Sequence, residues 1–266
     1  MQMVAASKMR RAQEADLAST PYSRAANELL TYLSSQGETD DHPLFTARKV
    51  NNRLLIVVAA DKGLVGAYNA NVLKLYLSEM KKDTDAGIGT KTIAVGRKVS
   101  QFATRLKDVD LVGAYENLPD QPVSGELHAI LDTAMSQFES GEVDAVDMVF
   151  TEFVSGMVQR AKTMRLLPAG FVETEVSDNV RDALYEPSPE IVLEQVTKRL
   201  IRAQVFQALL DAKASEYSMQ MIAMKNATDN ASDLVDDLTV AMNKARQGAV
   251  TQELAEISGG VEALSE

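Results

Sequence analysis

The chain has 266 residues, 45% of them hydrophobic, a net charge of -11 and no cysteine. That length and apolar content fit one or two domains with a core of ordinary size. The acidic balance argues against a nucleic-acid partner, and the missing cysteines exclude disulfides and thiol chemistry and are compatible with a reducing compartment.

The first segment, Met1 to about Gln36, is expected to be a helix, with Gly37 as its stop and Pro21 as an irregularity. Met1 to Lys8 contain no continuous apolar stretch of the secretory kind. Residues 38–189 read as an α/β domain with its linkers. R-L-L-I-V-V-A-A at Arg53–Ala60 is a continuous apolar run, as expected of a parallel strand buried on both faces. Its longest uninterrupted part, Leu54–Ala60, is too short to span a bilayer, so membrane association has to come through partners. Gly63 and Gly66 turn the chain, and Asn69–Lys82 shows helical spacing through Val72, Leu73, Leu75, Tyr76 and Met80. Lys91–Val95 gives a second strand stopped by Gly96, and Arg97–Leu106 a second helix. Asp110–Ala114 is a short third strand, Gly125–Glu139 a further helix, and Ala145–Phe153 with Met164–Pro168 a closing pair of strands. Strands alternating with helices imply a mainly parallel, Rossmann-like sheet with helices on its faces.

From Glu190 to about Ser258 there is no internal proline, and an apolar stripe recurs at spacings of four and three. It runs Leu210, Ala214, Tyr217, Met221, Met224, Thr228, Ala231, Val235, Leu238, Met242, Ala245, Ala249. Only Thr228 is neither apolar nor aromatic, so this is an a/d seam of a helix that supercoils against a partner. Its alanines let two backbones approach closely, and its methionines fill gaps without demanding one shape. At about 1.5 Å per residue such a helix runs to roughly 100 Å and should project beyond a compact domain. The exposed flank mixes both charge signs, as in a solvated stalk or an axle enclosed by another protein. Residues 1–37 and 190–266 are thus expected to form an antiparallel coiled coil, with the α/β domain inserted between them.

The motifs of catalysis are missing. D-K-G-L-V-G-A-Y-N after the first strand lacks the phosphate-loop pattern, because no second glycine is followed by Lys and a hydroxyl residue. G-x-G-x-x-G is absent, and a tight strand-to-helix turn accounts for this loop. His42 and His128 are far apart in sequence, and without cysteine a zinc site is not expected. Ser124 and Ser155 stand near glycines but lack the G-x-S-x-G elbow. Asp236 and Asp237 diverge on a helix and read as a solvated face. No catalytic residue, cofactor or metal is expected.

Four segments carry a resemblance. M-K-N-A-T-D-N at Met224–Asn230 with N-K-A-R-Q-G-A-V-T-Q-E-L-A-E-I at Asn243–Ile257 looks like the C-terminal helix of the gamma subunit of rotary ATP synthase. M-V-A-A-S-K-M-R-R-A-Q at Met3–Gln13 is similar to that family's N-terminal shaft helix. A-D-K-G-L-V-G-A-Y-N-A-N at Ala60–Asn71 resembles its S-D-[KR]-G-L-C-G-x-x-N loop, with Val65 in place of cysteine, and A-L-Y-E-P at Ala183–Pro187 fits a fourth motif.

The resemblance implies a rotor rather than a catalyst. In the family the coiled coil stands inside a hexamer of alternating alpha and beta subunits, and the α/β domain sits beside the epsilon subunit on the membrane c-ring. The residues implied to contact the hexamer are Met1, Lys8, Gln220, Arg246, Gln247, Thr251 and Glu253. Gln220 departs from the pattern, since well-known bacterial members carry arginine there. Tyr185 and Glu186 match the foot near the c-ring. The implied location is the cytoplasmic face of the bacterial plasma membrane, held by partner subunits. A coiled-coil adaptor with an inserted α/β domain, and a nucleotide-dependent α/β enzyme, are the alternatives. Antiparallel pairing with equal rise sets position 36 beside about 190 and position 1 beside about 225, leaving about two dozen seam residues without a partner helix. Family members carry a longer N-terminal helix, so the sequence reads as lacking roughly the first twenty residues of it.

Overall fold

A computed structural model describes residues 1–39, 42–106, 109–120, 124–181, 183 and 185–265. It falls into two units, Met1–Met221 and Ile222–Glu266. The first unit opens with α1 (Gln2–Ser35). Pro21 lies inside this helix without ending it. The carbonyl that a proline leaves without a donor is four residues back, on Leu17, which is 71% exposed; water can take the place of the missing N–H. Helix α1 stops where Gly37 turns left-handed at φ 84°. The Gly37 N–H donates to the Ser34 carbonyl at 2.9 Å and the Glu38 N–H to Leu33 at 3.2 Å, the paired bonds that close a helix on a glycine.

Five strands follow, β1 (Asn52–Val58), β2 (Gly89–Val95), β3 (Asp110–Tyr115), β4 (Ala145–Phe153) and β5 (Gln159–Leu167). Their order is β3-β2-β1-β4-β5; all pairs are parallel except β4–β5. The crossovers run through α2 (Tyr68–Ala86), α3 (Arg97–Ala103) and α4 (Ser124–Glu139). A short α5 (Asp178–Arg181) precedes α6 (Pro189–Ser265), which is 77 residues long.

Alternate residues of β1 serve two cores, as the period of a strand requires. Leu54, Ile56 and Val58 meet α4 through Ile130, Leu131 and Phe138, and α6 through Ile201, Val205 and Leu209. Leu55 and Val57 face the other way, against Val72 and Tyr76 of α2 and Val99 of α3. This explains why the strand reads as unbroken apolar sequence. A third cluster joins Ala26, Leu30 and Leu33 of α1 to Leu193 and Leu200 of α6. Gly96 ends β2 at φ 100°, and a Cβ there would come within 2.0 Å of the Ala59 carbonyl oxygen, so no other residue fits that turn.

Strand β5 begins at Gln159, five residues before the expected start. It is an edge strand paired on one side only, and its Arg160, Lys162 and Arg165 break the apolar run that sequence reading relies on. Among the described residues, no helix is long and apolar enough to cross a membrane.

Candidate functional site

The described structure brings the implied contact residues into three places. The first is the pairing of α1 with α6 inside the first unit. As numbers rise along α1 they fall along α6: Lys8 lies 5.2 Å from the Tyr217 ring centroid, Asp16 hydrogen-bonds the Gln207 side chain, and Leu30 and Leu33 meet Leu193 and Leu200. The pairing is therefore antiparallel. The seam positions Leu210, Ala214 and Tyr217 are buried, and Met221 is half-buried.

Near the start of α1, Met1 is exposed, while Lys8 is engaged. Its Nζ lies 2.8 Å from Asp120 Oδ2, and the Tyr217 hydroxyl donates to the other oxygen of the same carboxylate. Burial would raise the Asp120 carboxyl, but the bonds from Lys8 and Tyr217 outweigh it and hold it below its ordinary value. Burial, then Asp120, raise the Tyr217 hydroxyl. One carboxylate thus ties the α/β domain to both helices. Sequence reading missed Asp120, since nothing in the sequence around it connects it to residues 8 and 217. Gln220 is half-buried on α6, one turn before Met224.

The second place lies in the unit Ile222–Glu266, where Arg246, Gln247, Thr251 and Glu253 are all exposed. The Thr251 hydroxyl donates to the Gln247 carbonyl at 2.8 Å, and Arg246, Gln247, Val250 and Thr251 line one shallow hollow. The apolar stripe continues here, with Val235, Leu238 and Met242 each 60% exposed.

The third place holds Tyr185 and Glu186. The Tyr185 ring stacks on Tyr32 of α1, centroids 5.7 Å apart and 18° between planes, and its hydroxyl donates to the Val180 carbonyl at 2.6 Å. Glu186 beside it is exposed. Leu184, of the same A-L-Y-E-P segment, lies outside the described residues.

The loop after β1 is held from within. Asp61 Oδ1 accepts the backbone N–H of Arg97 and of Asn117, both at 2.9 Å. Asn69 Oδ1 accepts the Ala60 N–H at 2.9 Å. The first two amides of α3, which could otherwise face an anion, are thus taken, Arg97 by Asp61 and Lys98 by the Ala60 carbonyl. Ser155 caps the β4–β5 hairpin, its Oγ accepting the Val158 N–H at 3.1 Å. The Ser124 side chain is outside the described part. His42 packs edge-on to Phe45, and burial lowers its pKa. Among the described residues, no cluster of His, Cys, Asp or Glu is arranged to hold a metal.

A family model described as ATP synthase matches residues 1–264. A protein of Stenotrophomonas maltophilia (strain R551-3) named ATP synthase gamma chain is 38% identical over 265 residues, covering 99% of this chain and 92% of the relative. The ATP synthase gamma chain of Heliobacterium modesticaldum is 37% identical over 274 residues, with the same two coverages. Among solved structures, the central stalk and c-ring of the Tetrahymena thermophila mitochondrial ATP synthase contains a chain of similar fold. Its TM-score is 0.62 at 22% identity, over 86% of this chain and 97% of that one. A chain of the Euglena gracilis mitochondrial enzyme gives 0.61 at 18% identity, over 99% and 94%.

Proposed function

This chain belongs to the ATP synthase gamma-chain family, and on that premise we propose that it is the central rotor shaft, non-catalytic itself, of a proton-transporting ATP synthase. It couples rotation of the membrane c-ring to ATP synthesis or hydrolysis at the alpha-beta hexamer. The observation that carries this reading is the change of burial along α6. Seam residues up to Tyr217 are buried, whereas the same stripe beyond Met224 is exposed together with Gln247, Thr251 and Glu253. An apolar stripe of this length on an exposed helix marks a protein-contact surface, and the hexamer is the partner that fits it. Met1, Lys8, Gln220, Arg246, Gln247, Thr251 and Glu253 form that contact surface on this reading, with Tyr185 and Glu186 toward the c-ring and epsilon subunit beside the α/β domain. Polar contacts suit a bearing, because strong ones would trap a single angle. Asp61, which takes the Arg97 amide at the start of α3, supports the absence of nucleotide chemistry in this chain. The complex is held at the cytoplasmic face of the bacterial plasma membrane through its partners.

The test is subunit composition. A tagged copy expressed in its own cells should bring down alpha and beta subunits in one large assembly with Mg-dependent ATPase activity. A chain that elutes free of both subunits under conditions that keep the enzyme intact contradicts the rotor reading and favours an adaptor.

A further inference from the structure

In the unit Ile222–Glu266 the seam of α6 is exposed from Ala231 onward, and its flanks suit one kind of partner. Val235, Leu238 and Met242 are each 60% exposed, and Ala231, Ala245 and Ala249 on the same stripe are exposed as well. Beside an a/d seam lie two flanking rows, which decide what helix pairs with it and in which direction. One row reads Lys225, Ser232, Thr239, Arg246, Glu253, and the other Ala227, Leu234, Ala241, Gly248. Asp229, Asp233, Asp236 and Asp237 stand on the outer face, clear of both rows. The acidic charge of this stretch is thus kept off the seam, Glu253 excepted. Gly248 costs about 1 kcal/mol inside a helix relative to alanine, yet nothing lies within 4 Å of where its Cβ would be. The single chain therefore gives no reason for a glycine there.

We propose that this stripe docks a second copy of the unassembled chain, the two α6 helices pairing antiparallel about a two-fold axis level with Val240. Turning the seam about that point sets Leu238 against Met242 of the second copy, Val235 against Ala245, and Ala231 against Ala249. Thr228 meets Gln252, polar against polar, and closes the apolar stretch at both ends. In an antiparallel pair each row faces its own kind. Lys225 then meets Glu253 of the second copy, twice by symmetry, Arg246 meets Ser232, and no like charges are opposed. Leu234 lies over Gly248, whose missing side chain makes the room. In a parallel pair each row faces the other, so Glu253 faces Gly248, Lys225 finds no opposite charge, and the helix dipoles align unfavourably. The paired stretch, residues 228–252, is roughly 36 Å long. A strip of that length and about 10 Å wide falls short of the ~1,200 Å² that a stable interface buries. The pair is therefore weak, half dissociated at roughly 10–100 µM, and at a few micromolar the chain is single. The inference needs only the exposed stripe and does not rest on the rotor reading. On that reading the hexamer takes the same stripe, so assembly and self-pairing exclude each other.

The test is sedimentation equilibrium of the full chain between about 1 and about 300 µM. The mean mass should rise with concentration from 28.9 kDa toward twice that value and not beyond, since a two-fold pair closes on itself. Leu238→Asp, at a position exposed in the single chain, should hold the mass at 28.9 kDa throughout, with helix content unchanged by circular dichroism. Glu253→Lys opposes Lys225 with a second lysine and should weaken association roughly threefold or more, and Lys225→Glu should do the same. Both reversals together should restore it, as a direct pairing of the two positions requires. A mass that stays at 28.9 kDa at every concentration, one that climbs past the dimer, association that survives Leu238→Asp, or a double reversal that does not recover what each single one loses overturns the proposal.

Discussion

Arg53 on β1 and Asp147 on β4 meet across neighbouring parallel strands, Nη1 to Oδ2 at 3.0 Å, and neither residue is more than 8% exposed. The same guanidinium reaches Glu79 at 3.0 Å and Asp83 at 2.8 Å on α2, and Asp147 is bonded again by Arg165 of β5. Five charged side chains thus pin one helix and three strand positions together at the end of the sheet where β1 begins. A buried ion network of this kind costs most when it is broken on one side.

Arg53→Met should therefore destabilise the chain by about 3–5 kcal/mol, since it leaves three carboxylates without their shared cation. The measurement is urea unfolding. The midpoint should fall with little change in slope; a midpoint within error of wild type would show that the network contributes nothing net.

Acid should act on the same network. Burial would raise the Glu79 carboxyl, but hydrogen bonds from Lys82 and Arg53 outweigh it and hold it below its ordinary value. A depressed folded value means stability that is present above the unfolded pKa and lost as pH falls through the folded one. Glu79→Gln should thus be less stable than wild type at neutral pH, and its melting temperature should fall less steeply below about pH 5. Parallel acid limbs for the two proteins would count against this assignment.

The two stretches of the α6 seam should respond differently in the isolated chain. Leu210 is fully buried and Leu238 is 60% exposed. Leu210→Ala should cost about 2–5 kcal/mol, and Leu238→Ala no more than about 0.5 kcal/mol. Calorimetry of both variants decides it, and equal losses would mean that the exposed stripe is covered in the free protein.

ATP should find no specific site on the isolated chain, because the amides of Arg97 and Asn117 are held by Asp61. Isothermal titration with Mg-ATP should give no saturable heat in the micromolar range, and a saturable isotherm would contradict this.

The architecture was readable where one physical signal dominates. The unbroken run Leu54–Val58 announced a strand covered on both faces, and Gly37 announced the end of α1 through its left-handed turn. The start of β5 was hidden because an edge strand needs no apolar alternation on its open side. Pro21 looked disruptive because sequence alone does not say that Leu17, one turn before it, is exposed. Arg53, Glu79, Asp83 and Asp147 were invisible as a group. They are spread over 95 positions and joined only by the register of β1 with β4 and the placing of α2. Asp120 was hidden for the same reason, since its partners come from opposite ends of the chain.

Ile201, Val205, Ala208, Leu209 and Ala212 of α6 fill one face of the sheet, against Leu54, Ile56 and Val58. On the ribosome, every strand and α4 are therefore made before the α6 residues that complete the cover of that face. The sheet must wait, with that face covered only by α4, until synthesis has passed residue 212, which leaves an interval in which the nascent chain depends on chaperones or on speed to avoid aggregation.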